Sequence, residues 1–297
     1  MLERLFASRK RPCFKRPDSW DTLSFDLSGN RFEITLPAQD YEFPEDKINE
    51  RINLFDEQLY NYKDEPDRNG YPGSSRGVSD LALLNRNWYT YGPIWEGVNF
   101  GTLQCAAVFG DVSRIEPELN CFNTEQFEKL LLYILYCSEG PGFGLNEHTC
   151  PVNWQIRSLH GTDWIYLESW SRRPAWKNVA DRNWDANFSV WLITPLFEDK
   201  YLLITFSAIG SMPPEPSNKL MLQRIEAIIP SIKLQLSSGA LKQRAEAKQK
   251  YPDATSYSST RKPEPWQYYS EFRYGDPMKG EEDFVFEGPC SPPPPLF

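Results

Sequence analysis

The sequence predicts an α+β fold in which an antiparallel β-sheet packs against helices. Paired runs of alternating apolar residues, each joined by a short turn, indicate β-hairpins. Other segments repeat their apolar residues at helical spacing. The order along the chain is hairpin, helix, antiparallel strands, helix and strand, which is typical of an α+β sandwich.

The first hairpin is predicted at residues 22–27 and 31–36, where apolar and polar residues alternate. Ser28-Gly29-Asn30 supplies the turn, and Pro37 ends the second strand because proline has no N–H to donate to a ladder. Residues 47–60 mix strand and helix signals and stay ambiguous. Residues 63–77 are a loop by composition.

A buried strand is predicted at residues 103–109, and the clearest helix begins after Asn123. The Asn123 side chain can cap free backbone N–H groups, and Gln126 stands where a capping box needs Glu or Gln. Apolar residues then recur at helical spacing, which predicts a well-buried face. The Gly-Pro pair at 140–141 ends this helix.

Two more hairpins follow, each made of two strands joined by a four-residue turn. Their strands are predicted at residues 152–159, 164–170, 188–194 and 201–208. Residues 201–208 are apolar on both faces, as expected for a central strand covered by helices. A helix capped by Ser217 and closed by Pro230 comes next, and a short strand at 232–236 completes the sheet.

Charge and composition divide the chain into three parts. The chain has 297 residues and a formal net charge of −9, but residues 1–16 alone carry +5, so the remainder carries −14. Residues 1–20 are therefore predicted to be a basic, solvated arm and residues 21–238 the α+β domain. Residues 239–297 begin as a charged helix and continue as a Pro- and aromatic-rich extension, which we expect to wrap the body.

Several classes of protein are disfavoured by the sequence. No apolar stretch is long enough to span a bilayer, so we expect no membrane partner, and the apolar run at residues 5–8 is too short for a secretory signal. The acidic body disfavours non-specific binding of nucleic acid. Cys105, Cys121 and Cys137 stand in apolar surroundings and no CxxC spacing occurs, which indicates reduced thiols in a cytoplasmic protein.

No motif points to a catalytic residue, a metal or a cofactor. His148, Cys150 and His160 are too few for a structural zinc, which takes four ligands. His148 and Cys150 stand two residues apart, and we expect them not to act as a base–nucleophile pair. The acidic clusters at residues 40–46 and 281–283 are interpreted as solvated charge. An enzyme, such as a hydrolase, with a dispersed active site stays an alternative.

The strongest candidate for a binding site is the segment between the last two hairpins, residues 168–185. It combines tryptophans with basic residues, the types most enriched at interface hot spots. The predicted partner-binding residues are Trp170, Arg172, Arg173, Trp176, Lys177 and Trp184. Two alternatives stay open: these tryptophans pack beneath the loop while the basic residues pair with carboxylates, or the segment stacks sugars as a carbohydrate-binding module.

Three short runs resemble the PsbP-like family, which includes the bacterial DcrB-like proteins. They are ITLP at residues 34–37, YLLITFSA at 201–208 and IIPSIKL at 228–234. The resemblance covers about residues 24–236 and implies a domain closed by a central strand, a helix and a short strand. The family is mostly non-enzymatic and includes adaptors that load toxins onto type VI secretion machines. This chain departs from it by its greater length and its Pro-rich extension.

The resemblance and the acidic charge together predict a non-enzymatic protein-binding protein. Its most concrete form is a bacterial immunity or adaptor protein that binds a secreted toxin of the type VI kind. Toxins that act on nucleic acids or membranes are often basic, and an acidic partner would meet them by charge complementarity.

Overall fold

The structure is a computed structural model, and it describes residues 3–14, 19–40, 49–60, 78–114, 119–139, 147–148, 152–172, 186–210 and 214–254. Within these ranges, antiparallel strands predominate and a few helices pack on them. The predicted α+β class with an antiparallel sheet is therefore confirmed. The extension beyond residue 254 and the predicted loop at 63–77 lie outside the described residues.

The strands are β1 (Cys13–Phe14), β2 (Trp20–Leu27), β3 (Asn30–Pro37), β4 (Arg51–Ile52), β5 (Ser79–Tyr91), β6 (Asn99–Asp111), β7 (Glu147–His148), β8 (Val152–Leu159), β9 (Thr162–Arg172), β10 (Ala186–Phe197), β11 (Lys200–Gly210) and β12 (Lys233–Gln235). The helices are α1 (Glu3–Phe6), α2 (Thr124–Glu139), α3 (Pro214–Ile228) and α4 (Ser238–Lys250).

The strands form two sheets. Within the described residues, the large sheet has the order β1-β5-β6-β11-β10-β9, and both β7 and β8 pair with β9 at its far side. The small sheet has the order β12-β3-β2-β4, in which only β2 and β4 run parallel. The three predicted hairpins are therefore present as β2–β3, β8–β9 and β10–β11.

Two of these hairpins turn more tightly than the sequence indicates. Ser28 and Gly29 have φ of 53° and 86°, and His160 and Gly161 have φ of 49° and 84°. Positive φ at both central residues defines a two-residue turn whose twist matches that of the flanking strands. The predicted four-residue turn at 160–163 is wrong for this reason, and Thr162 already belongs to β9.

The large sheet buries its two faces differently. On one face Phe109, Ile204 and Phe206 share a core with Phe32 of the small sheet and Met221 of α3. Burial of such side chains stabilises the fold by about 1.5–3 kcal/mol each. The other face packs against α2, but only along β8, β9, β10 and the first residues of β11. The remainder of that second face is left without a covering helix in the described structure.

The helix α2 begins where the sequence predicts. Asn123 Oδ1 accepts hydrogen bonds from the N–H groups of Glu125 and Gln126 at 3.1 and 3.3 Å. The capping box is not reciprocal, however, because the Gln126 side chain accepts from the N–H of Asn120 at 3.0 Å instead. The predicted capping role of Asn123 is therefore confirmed, whereas Gln126 accepts from Asn120 and not from the N–H of the cap residue.

The start of α3 differs from the prediction. The helix begins at Pro214, a residue tolerated in the first turn because its missing N–H would have no intrahelical partner. Ser217 is therefore inside the helix, fully buried, and accepts a hydrogen bond from Thr90 at 3.4 Å. The helix ends in the 3₁₀ turn Ile229–Ser231, which contains the predicted terminator Pro230.

The sequence analysis missed the strand β5. Its 13 residues pair with β6 through an irregularity between Ala82 and Leu84. One of its inward-facing positions is Arg86, whose guanidinium donates to the carbonyl of Pro37 at 2.9 Å and pairs with Asp21 at 3.3 Å. A bulge and an arginine on the core side interrupt the apolar alternation that identifies a strand.

The interpretation of the first acidic cluster as solvated charge is wrong for Asp40. Its side chain is buried, and its Oδ2 accepts the N–H of Tyr89 at 2.8 Å. Its own N–H donates to the carbonyl of Asn87 at 3.3 Å. Asp40 thus occupies backbone groups of β5 that would otherwise be unpaired.

No helix among the described residues is long and apolar enough to cross a membrane.

Candidate functional site

The structure describes only part of the predicted partner-binding segment. The backbones of Trp170 and Arg172 end β9, where they pair with Phe188 and Glu147 respectively. The side chains of these two residues, and the whole of Arg173, Trp176, Lys177 and Trp184, lie outside the described residues. The role of this segment therefore stays a prediction.

The two histidines occupy separate places. His160 Nε2 lies 2.9 Å from the carbonyl oxygen of Pro230, so this ring links the β8–β9 turn to the end of α3. His148 pairs with Ser171 between β7 and β9, and Cys150 lies outside the described residues. Within the described part of the chain, no three Cys, His, Asp or Glu side chains are grouped closely enough to hold a metal.

Among the described residues, the central part of the uncovered face of the large sheet carries no charged side chain, and we name it the open face; the exposed Asp80 lies at its edge, next to Ala82 on the same face of β5. Its side chains alternate with buried neighbours on β5, β6, β10 and β11, so they stand on the face opposite the main core. All of them are exposed or half-buried. They are Ala82, Asn85, Asn87, Tyr89, Thr102, Gln104, Ala106, Val108, Ser189, Thr205, Ser207 and Ile209.

The strand register aligns the polar side chains of the open face in a row. Asn87 lies opposite Gln104, Gln104 opposite Ser207, and Ser207 opposite Ser189. Ser189 in turn lies opposite Ser169 of β9, so one row crosses five strands. With strands about 4.8 Å apart, this row is about 19 Å long. It offers amide and hydroxyl groups and no formal charge.

Hydrogen bonds between side chains fix the amides at one end of the row. Asn85 Oδ1 accepts from Gln104 Nε2 at 2.9 Å and from Asn87 Nδ2 at 3.2 Å. One acceptor therefore orients two neighbouring amides, which reduces the conformational freedom that a ligand would have to remove.

Two buried polar atoms lie where the open face meets the core under α2. Ser169 Oγ and Trp191 Nε1 have no hydrogen-bond partner within the described structure, although both atoms are buried. Ser169 is the last member of the polar row, and Trp191 lies two residues from Ser189 on β10. An unsatisfied buried donor costs about 1–3 kcal/mol, so these two positions are a local cost to the stability of the fold.

A second polar cluster, centred on the buried Lys200 and Asp111 side chains, holds the ends of two strands together. Lys200 Nζ contacts Asp111 Oδ2 at 2.5 Å and Asp199 Oδ2 at 2.9 Å, and only 4% of the Lys200 side chain is exposed. Burial lowers the pKa of Lys200, but hydrogen bonds to Asp111 and Asp199 outweigh it, so the pKa is raised. Lys200 thus stays charged and anchors β11 to β6.

Cys121 lies beside this cluster as a protonated thiol. Burial, followed by the negative charges of Asp199 and Asp111, raises the pKa of Cys121 well above its ordinary value of 9.0. Because only the thiolate is a strong nucleophile, this position does not favour nucleophilic chemistry. Cys105 and Cys121 are both buried and neither forms a disulfide within the described residues; the Cys137 side chain lies outside the described residues.

Two tyrosines of the sheet are held by carboxylates. Tyr201 Oη donates to Asp80 at 2.8 Å, and Tyr166 Oη donates to Glu168 at 2.7 Å. Burial and then the neighbouring carboxylate raise the pKa of each phenol. Arg157 also stacks on the Tyr166 ring, with its guanidinium carbon 3.5 Å from the ring centroid.

We expect the fold to lose stability in alkali, because four titrating side chains described above have raised pKa values. The pKa values of Cys121, Tyr166, Tyr201 and Lys200 are all raised on folding, from ordinary values of 9.0, 10.0, 10.0 and 10.5. Above these values the folded state binds more protons than the unfolded state, so stability is complete below about pH 9 and falls as the pH rises further. Each group contributes up to about 1.4 kcal/mol per pH unit.

Urea unfolding between pH 8 and pH 11, in steps of about one unit, measures this dependence. Tyr166→Phe removes one titrating group and is expected to make the decline shallower. A free energy of unfolding that stays constant or rises over this range would contradict the assignment.

Sequence reasoning missed the open face because it missed β5. The signal was nevertheless present: Leu84, Arg86 and Trp88 alternate with Asn85 and Asn87. A period of two is the mark of a strand, even where one side is polar rather than apolar.

The chain has little measurable similarity to known proteins. No family model and no curated protein matches it. A protein of Bacteroides thetaiotaomicron VPI-5482, known from a crystal structure at 1.50 Å resolution, matches with a TM-score of 0.23 and 12% identity. The match covers 54% of this chain and spans 45% of that protein's length, and at this TM-score it supports no statement about function.

Proposed function

We propose that this chain is a protein-binding protein whose contact surface is centred on the open face. The observation that carries the proposal is the absence of charged side chains among the twelve described residues of this face, in a chain of which 25% is charged; Asp80 stands at its edge. The centres of protein–protein interfaces are depleted in charged residues in the same way. Surfaces rich in Asn, Ser and Tyr also supply adaptable hydrogen bonds, as antibody paratopes do.

The dimensions of the open face fit the centre of an interface. The open face extends about 15–19 Å across the strands and about 20 Å along them. A standard interface buries about 800 Å² on each partner, so the open face would supply about half of that area. Neighbouring charged residues would form the rim.

In its most concrete form, the proposal is an acidic adaptor or immunity protein of the PsbP-like or DcrB-like kind that binds a secreted toxin. The net charge of −9 supports a basic partner, because charge complementarity raises the rate and specificity of association.

A carbohydrate is the second candidate ligand for the open face. The accessible row of amides and hydroxyls formed by Asn87, Gln104, Ser207 and Ser189 favours it. Polar groups of this kind satisfy the many hydroxyl groups of a sugar.

Added charge on the open face tests the proposal. Gln104→Lys with Ser207→Lys is expected to reduce partner binding at least about tenfold, because two charges would have to be desolvated in the interface. The tagged chain is used to isolate a stoichiometric partner from native lysate. Affinity for that purified partner is then measured with wild-type and variant chains.

Ala245→Lys with Gln249→Lys is the matched control, since it adds the same charge at exposed positions of α4. This variant is expected to bind like the wild type. Equal affinity of the open-face variant, or failure to recover any stoichiometric partner, would count against the proposal. Glycan-array binding that is abolished by the open-face variant would favour the carbohydrate instead.

A further inference from the structure

The described chain exposes a group of large apolar side chains on its N-terminal segment and the turn between β5 and β6. Phe6 is 83% exposed and Trp95 is 77% exposed, values unusual for aromatic residues of a folded domain. Leu5, Ile94 and Val98 are 54%, 43% and 45% exposed. We name these five residues the apolar tip.

Contacts between the two segments place the apolar tip at one end of the large sheet. β1 pairs with the end of β5 at Tyr91, and the Arg4 guanidinium carbon lies 4.6 Å from the centroid of the Tyr91 ring. Arg9 Nε pairs with Glu96 Oε1 at 3.0 Å. The N-terminal segment is therefore attached to the sheet on both sides of Leu5 and Phe6, rather than lying apart from it.

The surroundings of the apolar tip are basic. Residues 3–14 and 94–98 together contain four basic residues and two acidic residues, Glu3 and Glu96. Arg9 keeps 65% of its side chain exposed despite its ion pair, and Lys10 and Arg11 are also exposed. The surface thus combines apolar side chains with net positive charge, the opposite of the chain as a whole.

We propose that the apolar tip docks on the surface of an anionic lipid bilayer. Tryptophan and phenylalanine favour the interfacial region of bilayers, where the ring is buried among lipid and polar atoms stay hydrated. Basic residues beside them are attracted to anionic head groups. The apolar tip and its basic neighbours therefore match both the interfacial region and the anionic head groups of such a bilayer.

Two other occupants fit this chemistry less well. A single-stranded nucleic acid would use the aromatic rings and the basic residues, but it gives no role to Leu5, Ile94 and Val98. A second copy of the chain, joined by a two-fold axis, would bring the basic residues of the two tips together. An anionic bilayer uses the aliphatic, aromatic and basic groups at once.

The inference departs from the expectation that the chain has no membrane partner. That expectation rested on the lack of a segment long enough to span a bilayer, and surface docking needs none. The negative charge of the body does not prevent docking, because charges more than about 8–10 Å apart are largely screened at physiological salt.

Vesicle co-sedimentation of the full chain tests the proposal. The probes are vesicles of phosphatidylcholine alone and vesicles of equal parts phosphatidylcholine and phosphatidylserine. We expect binding to the anionic vesicles at least about tenfold stronger than to the neutral ones, and weaker binding at high salt. Phe6→Ser with Trp95→Ser is expected to reduce binding at least about tenfold. Lys10→Ala with Arg11→Ala is expected to remove the preference for anionic lipid.

Matched controls on α4 separate the tip from general surface effects. Leu241→Ser replaces another exposed apolar residue, and Lys242→Ala with Lys248→Ala removes two other exposed positive charges. Both are expected to leave vesicle binding unchanged, as is the open-face variant Gln104→Lys with Ser207→Lys, so this test is independent of the proposed protein partner.

Four results from vesicle binding and light scattering would overturn the docking proposal. They are no vesicle binding, equal binding to both kinds of vesicle, undiminished binding by the Phe6 and Trp95 variant, and loss of a dimer in that variant by light scattering. The last result would assign the tip to contact between copies. A preference for a single-stranded oligonucleotide that displaces the vesicles would likewise reject the lipid surface.

Discussion

Lys200→Met is expected to lower the free energy of unfolding by about 3–5 kcal/mol. Methionine has a similar length but removes the cation that contacts Asp111 Oδ2, and only 2% of the Asp111 side chain is exposed. Ser113 donates to Asp111 Oδ1 from its N–H and its hydroxyl, and these two hydrogen bonds are kept in the variant. The hydrogen bond that is lost is the one that Lys200 donates to Asp111 Oδ2. Urea denaturation at pH 7 measures the change.

A double variant distinguishes the buried charge from simple loss of packing. Lys200→Met with Asp111→Asn removes both charges and is expected to recover a large part of the lost stability, because a neutral pair avoids the cost of an unpaired buried ion. Lys242→Met is the control, since its ion pair with Glu246 is exposed and such pairs contribute less than about 1 kcal/mol. A loss below about 1 kcal/mol for Lys200→Met would show that this cluster does not anchor the strands.

Gly110→Ala is expected to destabilise the fold by about 2–3 kcal/mol. Gly110 lies opposite Tyr201 between β6 and β11, and an added Cβ would overlap the Tyr201 ring. The ring cannot move aside easily, because it is fully buried and its hydroxyl is held by Asp80 at 2.8 Å. Thermal unfolding measures the effect.

Gly239→Ala provides the matched control for this substitution. The new Cβ would meet only Ser237 Oγ at 3.9 Å, and alanine favours helix formation over glycine. A gain of up to about 1 kcal/mol is expected. Tyr201→Leu added to Gly110→Ala should cost less than the sum of the two changes, since the shorter side chain relieves the overlap. Strict additivity would contradict the overlap as the cause.

The sequence identified the hairpins because both of their strands alternate cleanly. In β3, and in β2 from Leu23 onward, every second side chain is buried or partly buried, so both strands show a period of two. β5 has a bulge and carries Arg86 on its core side, where tertiary partners compensate the charge. Those partners are distant in sequence, so no local pattern reveals them.

The alternation of Leu84, Arg86 and Trp88 with Asn85 and Asn87 indicates one strand of the open face, but the open face as a whole could not be predicted. Its polar row takes single residues from several strands, and the row exists only through their register. Gln104 and Ser207 are ordinary polar residues when each is considered within its own segment. The tryptophan-rich segment at 168–185 attracted attention because its residue types are distinctive locally, whereas the open face is distinctive only after folding.

The position of Asp40 beside β5 has a consequence for how another chain can approach. Among the described strands, β5 ends its sheet except for the two residues of β1, and an unpaired strand is a template for adding a foreign strand. Asp40 engages the carbonyl of Asn87 and the N–H of Tyr89, and β1 pairs with Thr90 and Tyr91. Along this stretch, backbone-templated polymerisation is blocked. A protein that binds along this stretch of β5 must therefore be recognised through its side chains, which differ between proteins. Recognition through the peptide backbone, which all proteins share, is not available there.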